Sequence, residues 1–144
     1  MKSTIQLSFT AALVGLFTYA AISKLADPAL FRAQLYLQPF PQGFADLLVY
    51  ALPTVELVAA GLLCLELTRQ AGLWLSLALM SGFTAYIAFL LLFHQGPLPC
   101  SCGGILNRMS WQAHLLFNFC FVLVSAAAIR LNCRKPDLGR PPAA

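Results

Sequence analysis

The stretch from Pro97 to Asn118, PLPCSCGGILNRMSWQAHLLFN, gathers the side chains of this sequence best suited to chemistry. Cys100 and Cys102 are separated by one serine and followed by Gly103 and Gly104. An i, i+2 cysteine pair closes a disulfide only in a turn that brings its Cα atoms to roughly 4.4–6.8 Å. The two glycines supply backbone freedom for such a turn. The small ring would be strained, and strained disulfides exchange more readily than structural ones. Exchange needs thiolate, which Lys24, Arg108 or a charged His114 would favour. The plainer readings are a static staple or two unpaired thiols. Zinc held by Cys100, Cys102, His94 and His114 is a third, but the one-residue cysteine spacing departs from the usual two to four. No metal site is assigned.

Downstream, Trp111, His114 and Asn118 follow at intervals of three and four and so share one helix face. A histidine in an apolar run marks a functional position by default, with hydrogen-bonded packing as the alternative. Glu56 lies in ALPTVELVAAGLL, a setting just as apolar. Ionised there, it costs several kcal/mol unless paired, protonated or hydrated. It reads either as a carboxylate bonded to a neighbouring helix or as a proton acceptor. Lys24 is the nearest candidate partner, with an interfacial anchor as its simpler role. His94 reads as interfacial.

These residues need elements to position them, and composition says which. Only 10% of the 144 residues are charged, and mean hydropathy is +0.77. A soluble domain carries roughly a quarter charged residues, so the natural solvent is lipid. A bilayer core of about 30 Å takes roughly 20 helical residues. Four runs qualify, at about 5–23, 45–67, 72–93 and 111–131. None alternates with period two, so helices are expected rather than barrel strands. The first run has some features of a signal peptide but is read as a retained helix, because it leads into more membrane. The expected fold is all-α: an integral-membrane four-helix bundle over residues 1–131, with a flexible cytoplasmic tail at 132–144.

Between the first two runs, Asp27 and Pro28 resemble a helix start. Leu30, Phe31, Leu35 and Leu37 would form the apolar face of a short interfacial helix closed by Pro39 and Pro41. With four spans, Lys2, Arg69, Arg130, Arg134, Lys135 and Arg140 share one side, against Lys24, Arg32 and Arg108 on the other. That bias places both termini in the cytoplasm and the Cys100–Cys102 loop outside, where disulfides persist. The net charge of +4 is therefore topological, and no nucleic-acid partner is expected. Cys64 and Cys120 read as small apolar side chains buried within spans, and Cys133 as a reduced thiol at the cytoplasmic edge.

The segments SKL (Ser23–Leu25), LPTVELVAAGLL around Glu56, PCSCGG (Pro99–Gly104) and MSWQAHLLFN (Met109–Asn118) occur in an order and spacing that resembles the DoxX-like superfamily of four-helix membrane proteins. Within it, the chain looks like the MauE, or methylamine utilisation, branch. The resemblance implies a role in maturing methylamine dehydrogenase, whose small subunit is rich in disulfides. It therefore implies periplasmic thiol–disulfide chemistry on Cys100 and Cys102 at the cell inner membrane. His114 or Glu56 would move the proton, Lys24 would stabilise negative charge, and Trp111 and Asn118 would shape the pocket. The partners expected are the bilayer and a periplasmic thiol protein or exported disulfide-containing client. Electrons would pass to a quinone or to a second thiol protein. The chain lacks the Cys-x-x-Cys of quinone-linked four-helix proteins such as vitamin K epoxide reductase. The alternative is a non-catalytic subunit or assembly factor of a quinone-linked oxidoreductase complex. A small metal or solute carrier is a third class, for which a single buried acid offers little path.

Overall fold

The computed structural model describes residues 2–39, 41–93 and 110–133, with side chains from Thr4 onward. Among the described residues the structure is all-α. Helix α1 spans Lys2–Ala26, α2 Pro28–Tyr36, α3 Gln42–Cys64, α4 Arg69–Phe93 and α5 Trp111–Cys133. All but α2 are long and apolar enough to cross a membrane. They form a four-helix bundle in which α1 and α4 each pack against both α3 and α5. The outer surface carries large apolar side chains such as Leu7, Leu47, Trp74, Leu116 and Leu123. The sequence has too few charges to cover such a surface for water, and lipid is the solvent that suits it.

The second span ends at Cys64 rather than near Leu67, and the fourth helix starts at Arg69. Leu65 turns extended at φ −96°, ψ 130°. The Thr68 hydroxyl then donates to the Leu62 carbonyl at 3.0 Å, and the Gly72 N–H donates to the Thr68 carbonyl at 2.9 Å. The first bond satisfies a carbonyl that the end of α3 leaves open, and the second is the opening backbone bond of α4. Gly72 also lets the two helices close on each other: a Cβ there would lie 2.9 Å from the Leu63 nitrogen. Helix α5 continues to Cys133, so Asn132 belongs to the bundle rather than to a tail.

Helix α2 forms where expected. The Asp27 carboxylate accepts from the Leu30 N–H at 2.9 Å, with Pro28 in the first turn. Its apolar face is narrower than expected, because Phe31 and Leu35 are buried while Leu30 and Leu37 are exposed. Phe31 and Leu35 pack on Ala45 and Val49 of α3. The helix is thus an extension of α1 along α3. Stepping forward through Lys24, Arg32 and Tyr36 means stepping back through Glu56, Tyr50 and Asp46, each a bonded partner. One antiparallel register crosses the break at Asp27, and it sets that break opposite Pro53, the proline inside α3. Pro53 has no N–H to give the Val49 carbonyl, so α3, though continuous, lacks one backbone bond at the level where α1 gives way to α2.

The far end of the bundle, where α1 begins and α5 ends, is densely packed. Leu13, Phe17, Ala59, Ala60, Leu63, Leu73, Ala128 and Ile129 form one core. Beyond it three amides join three helices. Gln6 donates to the Asn132 side-chain oxygen at 2.6 Å, Asn132 to Gln70 at 2.5 Å, and Gln70 to the Cys133 sulfur at 3.5 Å. Cys64 and Cys120, expected to be buried, are exposed with Cys133 on the outside of the bundle. A thiol is apolar enough to face acyl chains, so span membership alone did not fix the direction it faces.

Candidate functional site

The other half of the bundle contains a cavity of about 180 Å³ lined by all five helices. Lys24 enters it from the last turn of α1, and Glu56 from just past the middle of α3. The ammonium donates to both Glu56 oxygens, at 2.8 and 3.1 Å, and to the Ala20 carbonyl at 3.2 Å. An ammonium has three N–H groups, so these acceptors account for all of them. The Phe31 ring lies 5.7 Å from the same nitrogen. Lys24 is 5% exposed and Glu56 2%. This geometry offsets part of the cost of a carboxylate in an apolar run, because each charge partly replaces the other's lost water.

Helix α5 supplies the opposite wall. Ser110 caps it, its hydroxyl accepting from the Ala113 N–H at 3.3 Å. From that start, Trp111, His114 and Asn118 all line the cavity, as the three–four spacing implies. His114 is 2% exposed and Asn118 5%. Among the described residues, the Asn118 carboxamide has no hydrogen-bond partner although its side chain borders the cavity. Buried amides are nearly always bonded, to protein or to something held beside it.

The structure therefore brings Lys24, Glu56, Trp111, His114 and Asn118 around one space. Cys100, Cys102, His94 and Arg108 lie outside the described residues. The chain leaves α4 at Phe93 and returns at Trp111, itself a cavity residue. Among the described residues, no group of His, Cys, Asp and Glu is arranged to hold a metal ion.

Sequence reasoning missed several lining residues. Phe17, Leu35, Leu52, Phe83, Tyr86 and Phe117 give the cavity an aromatic and aliphatic wall. The Tyr86 hydroxyl donates to the Gln38 side chain at 2.7 Å, tying α4 to the segment after α2. Phe83, Tyr86 and Ile87 recur at helical spacing, but so do the lipid-facing residues of α4. Period alone could not tell which stripe faced inward.

Fold and site together define a multi-pass membrane protein whose spanning helices enclose a buried ion pair and an aromatic-walled space. The chain belongs to the MauE family: the family described as methylamine utilisation protein MauE matches residues 2–131. No curated protein and no solved structure matches it.

Proposed function

We propose that this chain supports thiol–disulfide exchange, or disulfide-dependent maturation of an exported client, at the inner membrane. Cys100 and Cys102 are the exchanging pair on the periplasmic face, and both termini are cytoplasmic. The client belongs to methylamine utilisation, with the small subunit of methylamine dehydrogenase as the first candidate. The fold is DoxX-like in this reading. The observation that supports it is the cavity's lining: ionisable Lys24, Glu56 and His114 surround one space with Trp111, and eight residues separate the Cys-Ser-Cys segment from Trp111 in the sequence. A thiolate formed there has a proton acceptor in His114 or Glu56 and a positive charge in Lys24.

The test uses a background in which Cys64, Cys120 and Cys133 are serine, because all three are exposed. In that background a maleimide mass tag should shift the protein only after reduction. An impermeant maleimide on intact cells should reach the reduced pair. Cys100→Ser or Cys102→Ser should abolish the redox dependence. A shift that ignores reductant rejects the proposal.

One observation favours a second reading, a non-catalytic assembly subunit. All three Lys24 donors are engaged, as suits a structural pair. On that reading both cysteines are dispensable for client maturation, while Glu56 is needed.

A further inference from the structure

The cavity's chemistry narrows what it can hold. It lies among membrane-spanning helices and its lining is mainly apolar, which suits an occupant that partitions into lipid. Lys24 and Glu56 cancel each other and leave no net charge to recruit an ion. The walls include Phe17, Phe83, Trp111 and Phe117, whose faces suit a flat ring. An apolar cavity of about 150 Å³ is enough for benzene, so 180 Å³ accommodates one ring with small substituents. Against this wall stands Asn118, more than nine-tenths buried and without a hydrogen-bond partner among the described residues. A carboxamide both donates and accepts. It can bond a ring carbonyl through its NH₂ and a ring hydroxyl through its oxygen, with no change in its own protonation.

We propose that the cavity seats the ring of a lipid-soluble quinone, with the Asn118 carboxamide hydrogen-bonded to one ring oxygen. Asn118 is suited to both redox forms: it donates to the quinone and accepts from the hydroquinone. The ring's role as electron acceptor rests on the thiol-exchange reading, whereas its seat in the cavity does not. In that role, two cysteine thiols lose two electrons and two protons and form one S–S bond. The quinone takes up both electrons and both protons and leaves as hydroquinone.

The experiment follows Trp111 fluorescence in full-length Trp74→Phe protein in phosphatidylcholine nanodiscs, because Trp74 faces outward at 55% exposure. A benzoquinone with one isoprene unit should quench Trp111 saturably. Trimethylbenzene, lacking ring oxygens, should compete weakly. Asn118→Leu removes one hydrogen bond and should raise half-saturation roughly three- to tenfold. Ala20→Phe, which places a ring in the cavity, should abolish saturation. Quenching that rises linearly and matches that of Trp74 in Trp111→Phe protein would overturn the proposal. So would a half-saturation unchanged by Asn118→Leu, or trimethylbenzene competing as well as the quinone itself. Saturable binding to protein whose thiols never exchange would sink the thiol reading and leave this one. Exchanging thiols without saturable binding would do the reverse.

Discussion

The two halves of this bundle handle buried polarity in opposite ways. At the end holding the start of α1 and the end of α5, the groups that join helices are neutral amides, and the charged pair there, Arg69 with Glu66, lies at the rim with Glu66 exposed. Gln6, Asn132 and Gln70 join three helices beyond a packed apolar core. At the other end, the helices bury two full charges and leave a carboxamide facing open space. An amide chain costs little to bury once satisfied, and holds the helices in place. A charge pair beside a cavity costs more to keep and provides no better glue. The first half is built for stability. The second accepts a cost that packing alone does not explain.

Substitutions can break this contrast, and the largest effect should come from the ion pair. Glu56→Leu strands the Lys24 ammonium and should destabilise by about 3–5 kcal/mol, measured by reversible unfolding in mixed micelles. Lys24→Met together with Glu56→Leu should recover most of that loss. In the packed half, Gly72→Ala drives a Cβ against the Leu63 backbone and should cost about 1–3 kcal/mol. Gln6→Leu leaves an Asn132 oxygen without its donor and should cost about 1–2 kcal/mol. Asn118→Leu sharpens the contrast, because it removes a buried polar group that has no described partner. Stability should hold or rise by up to about 1 kcal/mol, and a loss above that would show the amide is bonded in the fold.

The smallest effect lies outside the spans. The Tyr36 hydroxyl donates to Asp46 at 2.6 Å, and this bond raises the phenol above its ordinary 10.0. The bond is therefore fully present below pH 10.0 and is lost as pH climbs through the raised value. Asp46→Asn should bring the Tyr36 titration back down, read as a difference in phenolate absorbance between the two proteins.

Much of the fold was legible because lipid imposes a strict rule: apolar runs of sufficient length become helices. The stripe of Trp111, His114 and Asn118 was legible for a related reason, since spacing fixes which residues share a face. The pairing of Lys24 with Glu56 followed from cost, as a buried carboxylate needs a partner and few were on offer. What spacing could not show was the direction a stripe faces. Cys64 and Cys120 face outward, and Phe83 and Tyr86 inward, because in a lipid-solvated helix both faces are apolar. Nor could it show that α2 continues the register of α1, since that depends on where Phe31 and Leu35 land on α3.

The opposition of Asp27 and Pro53 has a mechanical consequence. Two neighbouring rods notched at the same height bend most easily about a common crease. Here that crease separates α2 and the first half of α3 from the tightly packed remainder. Bending about that level would alter the room beside Lys24 and Glu56, which line the cavity just past it.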